Sequence, residues 1–277
     1  GDIVDLHLDD VANILQTGGT ILKTARCEEF LSKEGRKKAF EQLRANGIDH
    51  LICIGGNGSY AGAMELYDDF GMPCIGLPGT IDNDLYGTDY TIGYDTAINT
   101  AVEAIDKIRD TADSHDRVFL IEVMGRDTGF IALDTGIAGG AEVVLIPEDA
   151  HDTSKLIQHF EKDRPRKKFF SIVVIAEGDE NGGARAVEQR LHSEYPQLEV
   201  RTTILGHIQR GGRPSARDRI LASRLGHSAV LEVIKESTNL ALGLINNVVT
   251  PVSFKEAVEK HKQVNRRLID MVEVLSA

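Results

Sequence analysis

The chain has few cysteines, no long apolar run and no excess of positive charge, and each lack excludes a class of protein. Its three cysteines are an odd number without metal-ligand spacing, which predicts reduced thiols in a cytoplasmic protein rather than a disulfide framework. No apolar run approaches the roughly 20 residues of a membrane span, and the polar first ten residues are unlike a signal peptide. Lys and Arg total 31 against 43 Asp and Glu, and this net charge of −12 argues against a nucleic-acid binder.

The chain has 277 residues, of which 42% are hydrophobic and 27% are charged, and this composition is typical of an ordinary globular protein. Strand and helix signals alternate throughout, which is typical of parallel βαβ units. The predicted strands are 49–54, 74–77, 118–123, 143–146, 172–176, 202–205 and 243–249. The predicted helices are 9–18, 32–46, one that contains Ala61, Ala63, Met64 and Leu66, 96–110, 128–139, 154–162, 184–192, 215–235 and one that starts at 254.

Two carboxylates follow the apolar run 74–77 in the sequence Pro-Gly-Thr-Ile-Asp-Asn-Asp. In an extended loop, Asp82 and Asp84 would project to one side while Asn83 points away. Two carboxylates so close to each other raise each other's pKa unless a cation or an arginine lies between them. A polar turn is the alternative interpretation, because Gly, Asn and Asp are common in turns.

A second loop, Gly55–Ser59, lies between a predicted strand and a predicted helix. Free N–H groups and the helix dipole at such a junction favour phosphate binding. The pattern is neither the dinucleotide-binding motif nor the P-loop. The alternative is a tight βα turn without a ligand.

Several other predicted strands also end in polar or charged residues. These strand ends carry Arg26, Asn57, Gly58, Ser59, Thr80, Asp82, Asp84, Met124, Gly125, Arg126, Glu177, His207 and Arg210. Because carboxyl ends of parallel strands lie at one edge of a sheet, these groups can converge. Arginines, a phosphate cradle and a carboxylate base suit phosphoryl transfer, although each arginine alone would ordinarily be a surface residue.

Four of these segments resemble the motifs of one enzyme family. The segments PGTIDND (78–84), IGGNGS (54–59), EVMGR (122–126) and GHIQRGG (206–212) are similar to those of the bacterial-type ATP-dependent 6-phosphofructokinases, and the likeness extends over essentially the whole chain. The resemblance implies two similar three-layer α/β domains with mainly parallel sheets and the active site in the cleft between them. It implies a nucleotide-binding domain of residues 1–93 plus 209–256, and a sugar-phosphate-binding domain of 94–208 plus 257–277.

The family's reaction would be transfer of the γ-phosphoryl group of Mg-ATP to the 1-hydroxyl of fructose 6-phosphate, the committed step of glycolysis. The resemblance implies a homotetramer whose active sites are shared between subunits. The implied catalytic residues are Asp82 as the general base, Thr80, Asp84 and Arg126. The implied ATP-binding residues are Arg26, Cys27, Gly56, Asn57, Gly58 and Ser59. The resemblance also implies that Asp84 and Asn57 bind Mg²⁺.

The resemblance also assigns residues to the sugar phosphate and to regulation. The implied substrate-binding residues are Thr80, Ile81, Asp82, Arg117, Met124, Gly125, Arg126, Glu177, Arg201, His207, Ile208, Gln209 and Arg210. Within this set, Arg117 and Arg201 would reach across from a neighbouring subunit. An effector site for ADP or phosphoenolpyruvate is implied at Arg109, Gly140, Ala141, Glu142, Arg166 and Lys168.

The phosphoryl donor follows from two glycines. Relatives that use pyrophosphate resemble this chain but have an aspartate at the position of Gly58 and a lysine at the position of Gly79. These two side chains fill the space that the α-phosphate of a nucleotide would occupy. Here that space is open, which favours ATP.

The chain departs from the family pattern in two places. Asn57 stands where the family usually has a Mg²⁺-binding aspartate, and the loss of one negative charge predicts weaker Mg²⁺ use. The family's first strand and its Gly-Gly-Asp loop have no counterpart before Gly1, so we expect a fragment with an exposed sheet edge that is inactive or poorly soluble alone. The alternatives are a pyrophosphate-dependent or other sugar-phosphate kinase of the family, and a catalytically silent effector-binding subunit.

Overall fold

Helices and strands alternate along the chain in the computed structural model, which describes residues 3–112, 117–149, 156–157, 171–179 and 182–275. In chain order the elements are a 3₁₀ helix (Glu28–Leu31), α1 (Lys33–Ala45), β1 (Leu51–Gly55), α2 (Asn57–Phe70), β2 (Cys74–Thr80), β3 (Ile92–Gly93), α3 (Tyr94–Ala112), β4 (Val118–Val123), α4 (Phe130–Gly139), β5 (Val143–Leu145), β6 (Ser171–Ala176), α5 (Gly183–Glu194), β7 (Val200–Ile204), a second 3₁₀ helix (Gly206–Arg210), α6 (Ala216–Ile234), β8 (Leu240–Ile245), β9 (Val248–Ser253), α7 (Phe254–Glu259) and α8 (Arg266–Leu275).

These elements divide into two units. Unit 1 comprises Gly1–Thr80, Leu85–Gly93 and Arg213–Lys262, and unit 2 comprises Ile81–Asp84, Tyr94–Gly212 and Gln263–Ala277. The predicted bounds placed 81–84 and 209–212 in the first domain and 257–262 in the second. The observed units instead include 81–84 and 209–212 in unit 2 and 257–262 in unit 1. The assignment of nucleotide and sugar phosphate to the two domains stays a prediction.

Unit 1 has a mainly parallel sheet in the order β1-β2-β8-β9, with β3 paired to β2. Strand β2 is apolar without alternation because both of its faces are buried. On one face Cys74 packs with Tyr60 of α2 and Phe254 of α7, and on the other Ile75 packs with Leu225 of α6. Helices therefore cover both faces. Strand β1 forms one edge, where Ile52 and Ile54 are exposed.

Unit 2 has an all-parallel sheet in the order β5-β6-β4-β7. Val143 and Leu145 belong to the core that faces α5. Val144 points to the opposite face, where Gly136 of α4 packs so closely that a Cβ there would overlap its side chain. Helices again cover both faces, and the expectation of three-layer α/β architecture with mainly parallel sheets is confirmed.

Most of the predicted elements are confirmed, including the strands 118–123 and 172–176 and the helix 215–235, and two predictions near the chain's ends are wrong. Residues 3–27 contain turns but no helix, so the helix predicted at 9–18 does not form. Its apolar residues Val11 and Leu15 are exposed, and a short helix without packing is marginal in water. The helix predicted to start at 254 is two helices, α7 and α8. The helix predicted at 154–162 falls mainly outside the described residues.

The single strand predicted at 243–249 is in fact a hairpin. Strands β8 and β9 pair antiparallel around Asn246 and Asn247, whose φ angles are 49° and 64°. Two consecutive positive φ angles define the type I′ turn that matches the twist of paired strands, and Asn tolerates them. A run of apolar residues on both sides of the turn concealed it in the sequence.

No helix in the described part of the chain is long and apolar enough to cross a membrane.

We predict opposite effects of Ala at two glycines of unit 1. A Cβ at Gly243 in β8 would overlap the carbonyl oxygen of Gly87, whereas a Cβ at Gly226 in α6 meets nothing within 4 Å. Gly243→Ala should lower stability by about 1–3 kcal/mol through overpacking. Gly226→Ala should raise it by about 0.5–1 kcal/mol through helix propensity. Urea unfolding followed by circular dichroism measures both, and a Gly243→Ala midpoint at or above that of the unchanged chain would contradict this packing.

Candidate active site

Charged residues that follow three strands lie at one end of the unit 2 sheet, where these strands have their carboxyl ends. We call this end the carboxyl edge of the sheet. Because β4, β6 and β7 are parallel, their carboxyl ends lie at one edge. Arg126 follows β4, Glu177 follows β6 directly, and the 3₁₀ helix Gly206–Arg210 follows β7. The structure therefore brings together the site residues that the sequence predicted on these three strand ends.

The half-buried Asp82 lies among these charges. Burial raises the pKa of its carboxyl, and the Asp84 carboxylate raises that pKa further. The Arg210 guanidinium acts in the opposite direction, Glu177 again raises the pKa of Asp82, and Arg126 lowers it. The net shift is upward, so Asp82 is a better proton acceptor than an ordinary aspartate.

The loop that carries Asp82 is not extended as the sequence predicted. Asn83 has a φ of 54° and its side chain is buried. Asn adopts this left-handed conformation more readily than most residues. The chain therefore turns between Asp82 and Asp84, and their carboxylates still repel each other.

The backbone at Arg126 is held in an unfavourable conformation. Gly125 has a φ of 144° and Arg126 a φ of 55°, and such a conformation in a non-glycine residue costs about 1–3 kcal/mol. The Arg126 N–H donates to Glu177 Oε1 at 2.8 Å. A Cβ at Gly178 would overlap the Arg126 carbonyl oxygen, so only glycine fits there. Glu177 and Gly178 thus fix the Arg126 backbone, while its side chain is exposed, with Nε 3.5 Å from Asp127 Oδ2.

Two residues that the sequence analysis missed support the same loop. The Thr128 hydroxyl donates to the Gly125 carbonyl at 3.0 Å and lies 3.5 Å from the carbonyl oxygen of Asp82. Both carboxylate oxygens of Glu148 accept from the Gly129 N–H at 3.0 Å. Glu148 follows β5, so the rule that singled out the other strand ends could have found it.

The 3₁₀ helix after β7 presents its residues in two directions. His207, Ile208 and Arg210 are exposed, whereas Gln209 is buried. The Gln209 amide donates to the Gly206 carbonyl at 3.1 Å and accepts from the Met124 N–H at 3.3 Å. The Gln209 side chain therefore positions this segment against β4, and substrate binding by Gln209 stays a prediction.

Unit 1 contains the glycine-rich turn between β1 and α2. Helix α2 begins at Asn57, and its N-cap Gly56 has no side chain that could cap the helix. A Cβ at Gly56 would lie 3.6 Å from Thr80 Cβ, so this turn is close to the end of β2. Such a helix N-terminus favours an anion.

The two glycines that were predicted to select the donor differ in their surroundings. A Cβ at Gly58 meets nothing within 4 Å, whereas one at Gly79 would lie 2.9 Å from Ile54 Cγ2. Gly79 therefore has a packing reason to be glycine, and only Gly58 faces open space. Arg26 and Cys27 are exposed in the segment that precedes the first 3₁₀ helix.

Arg117 and Arg201 lie at the other edge of the unit 2 sheet. Arg117 precedes β4 and Arg201 is the second residue of β7, so both are at amino ends. Glu199 pairs with both, at 3.0 Å from Arg117 Nε. At about 3.3 Å per residue, Arg117 lies about 20 Å from the carboxyl end of β4 and Arg201 about 10 Å from that of β7.

Two of the residues predicted to bind an effector, Arg109 and Glu142, hydrogen-bond to backbone groups in unit 2. Arg109 Nη2 donates at 2.7 Å to the carbonyls of Gly139 and Gly140, at the C-terminus of α4. Ala141 is buried, and Glu142 accepts from the Ile172 N–H at 2.6 Å. Arg166 and Lys168 lie outside the described residues. Effector binding by this set stays a prediction.

A family model and similar known sequences both point to one protein family. The sequence pattern of the family described as Phosphofructokinase matches residues 1–233. The chain is 55% identical over 276 residues to ATP-dependent 6-phosphofructokinase 1 of Thermus thermophilus, covering 100% of this chain and 85% of that protein. It is 50% identical over 276 residues to ATP-dependent 6-phosphofructokinase 2 of Bacteroides thetaiotaomicron, with the same coverage.

Solved structures have the same fold. The phosphofructokinase of Pichia pastoris, crystallised in the T-state, superposes with a TM-score of 0.82 at 34% identity over 97% of this chain and 31% of its own. The pyrophosphate-dependent phosphofructokinase of Marinobacter aquaeolei gives a TM-score of 0.75 at 24% identity, over 92% of this chain and 74% of its own. This second likeness supports the fold alone.

We predict that Asp82→Asn stabilises the folded chain, and that the gain depends on pH. The raised pKa means that Asp82 contributes its full stability below the ordinary Asp pKa of about 3.9 and loses it as pH rises through the folded-state value. Asn removes this loss, so the gain should be present at pH 8 and absent below about pH 4. Thermal unfolding against pH measures it, with the exposed Asp270→Asn as control. An equal gain at both pH values, or none at pH 8, would exclude the assigned cause.

Proposed function

Because the chain belongs to the phosphofructokinase family, we propose that it transfers the terminal phosphoryl group of ATP to the 1-hydroxyl of fructose 6-phosphate. The observation that carries the proposal is Asp82, a carboxyl with a raised pKa among the guanidinium groups of Arg126 and Arg210. A base beside cations is what phosphoryl transfer to a hydroxyl requires.

In the proposed reaction Asp82 accepts the proton of the sugar hydroxyl. The hydroxyl oxygen forms the new bond to the γ-phosphorus, the bond to the β,γ-bridging oxygen breaks, and ADP leaves. Arg126 offsets the negative charge of the transferring group, and its exposed guanidinium is free to turn from Asp127 because an exposed ion pair is worth little. Asp84 keeps the pKa of Asp82 raised through its like charge.

The sugar phosphate would be held by the edge that carries Asp82. His207 and Arg210 are exposed there and suit the 6-phosphate, since charge-assisted hydrogen bonds to phosphate are strong. Arg117 and Arg201 lie near the amino ends of the strands, where they pair with Glu199, and not among the charges that act on Asp82. This arrangement supports the part of the proposal in which a homotetramer shares its sites between subunits.

The nucleotide would bind at the turn between β1 and α2. The N-terminus of α2 suits a phosphate because a helix N-terminus favours an anion, and Thr80 lies beside the turn. The open space at Gly58 leaves room for an α-phosphate, which favours ATP over pyrophosphate. Arg26 and Cys27 stay assigned to ATP by the resemblance alone.

The residues present fit a magnesium ion that arrives with the nucleotide. Among the described residues no group of three or more His, Cys, Asp or Glu could hold a metal alone. Mg²⁺ is commonly bound through one or two carboxylates plus substrate phosphates. Asp84 would supply a carboxylate oxygen to the ion, and the ion would supply charge neutralisation when bound. Asn57, with its neutral amide oxygen, stays assigned to the metal by the resemblance alone. An ion at Asp84 would also reduce the repulsion that raises the pKa of Asp82.

A cytoplasmic location and regulation by ADP or phosphoenolpyruvate complete the proposal. The cysteines of the chain are free, Cys27 is exposed, and free thiols are typical of proteins in a reducing compartment.

We predict turnover with ATP and fructose 6-phosphate and none with pyrophosphate, measured by coupled assays of ADP and fructose 1,6-bisphosphate formation on the product of the full-length gene. Asp82→Asn should lower kcat by about 10²–10⁴-fold because the base is lost. The exposed Asp270→Asn is the control and should retain full activity.

Turnover with pyrophosphate alone would overturn the choice of donor. No transfer with either donor would contradict the proposal and favour an effector-binding subunit. Near-normal turnover of Asp82→Asn would remove the role assigned to this residue.

A further inference from the structure

Glu148 is a half-buried carboxylate that the motifs of the chain do not include. It lies three residues beyond β5, at the same edge of the unit 2 sheet as Glu177. Both of its carboxylate oxygens accept from a single backbone group, the Gly129 N–H, at 3.0 Å each. We propose that Glu148 is a positioning residue that holds the loop of Arg126, and through it Asp82, in place for catalysis.

Helix α4 depends on Glu148 because its own sequence supplies no cap. Its N-cap is Gly129, which has no side chain, and its first turn contains no acidic residue. The first N–H groups of a helix lack partners inside the helix, and a negative charge at this end is favourable. Glu148 supplies both the acceptor and the charge from a different strand. Gly129 in turn cannot be replaced, since a Cβ there would overlap Ile146.

The connection from Gly129 to the site is one residue long. Thr128 precedes Gly129, and its N–H and hydroxyl donate to the Gly125 carbonyl at 3.1 and 3.0 Å. The same hydroxyl lies 3.5 Å from the carbonyl oxygen of Asp82. If Gly129 moves, Thr128 moves with it, and so does its contact with the loop of the proposed base.

Arg126 makes this support necessary. Its φ of 55° is held from one side by the hydrogen bond of its N–H to Glu177. The other side of the loop ends at Gly129 and is held by Glu148. A loop that loses one of its anchors relaxes toward an ordinary backbone conformation, and the Arg126 guanidinium then turns toward the transferring group from a displaced backbone.

The test compares Glu148→Ala and Glu148→Gln with Asp134→Asn in the full-length gene product. Asp134 is on the same helix, where Oδ2 accepts from the Tyr94 hydroxyl at 2.8 Å, so it controls for a carboxylate that only stabilises α4. Glu148→Ala should lower kcat by about 10- to 100-fold, the effect of a misplacement of about 1 Å. Glu148→Gln keeps one acceptor oxygen and should recover most of this loss. Asp134→Asn should retain kcat.

A double-mutant cycle separates positioning from general destabilisation. The inference rests on the proposed phosphoryl transfer, and Arg126→Ala should make the loss from Glu148→Ala smaller, because both act through one loop. Fully multiplicative losses, or a folded Glu148→Ala with kcat within twofold of the unchanged protein, would overturn the inference while leaving the proposed function intact.

Amide hydrogen exchange decides the structural step even if no transfer is found. Exchange in residues 124–131 should rise in Glu148→Ala and not in Asp134→Asn. Equal exchange in the two variants would overturn the inference. Absence of transfer by the unchanged protein would instead contradict the proposed function.

Discussion

The structure of the candidate site depends on one constraint, the common direction of the four strands of the unit 2 sheet. Because β5, β6, β4 and β7 are parallel, every strand delivers the start of its following loop to the same edge. Charges that are far apart in the sequence, at Arg126, Glu177 and Arg210, therefore act together on the carboxyl of Asp82. No single loop contains the site. Its chemistry arises from the topology, and the apolar cores on the two faces of the sheet keep that topology fixed.

Bringing these groups together has a conformational cost that neighbouring residues offset. Arg126 has a left-handed backbone, Asn83 another, and Asp82 is removed from water beside a second carboxylate. The hydrogen bonds that compensate use side chains to satisfy main-chain groups, as Glu177 does for Arg126 and Gln209 for Met124. At this edge of the sheet, a carboxylate or amide side chain can either bind a ligand or hydrogen-bond to the backbone. Residue type alone does not distinguish the two roles.

That ambiguity explains how far the sequence could be interpreted. The alternation of strands and helices predicted the architecture, because hydrophobic periodicity is a local property. Residue types at strand ends predicted Arg126 and Arg210 at one edge, because parallel strands share a direction. Asp82 follows β2 of the other sheet and joins them because its segment, 81–84, packs with unit 2. The sequence did not reveal the turn at Asn246–Asn247 within an apolar run, or the failure of the 9–18 segment to form a helix, since both depend on tertiary packing. It also missed Glu148 and the inward direction of Gln209, because the direction of a side chain in an irregular loop is set by contacts distant in the sequence.

The central claim is that Asp82 responds to the charges which the sheet edge brings to it, and its own titration tests this most directly. Carbon-13 NMR of the Asp82 carboxyl against pH would give its pKa in the unchanged chain and in Asp84→Asn and Arg210→Ala. The account predicts a pKa above the ordinary value of about 3.9, a lower pKa in Asp84→Asn, and a higher one in Arg210→Ala. An ordinary pKa that is the same in all three proteins would contradict it.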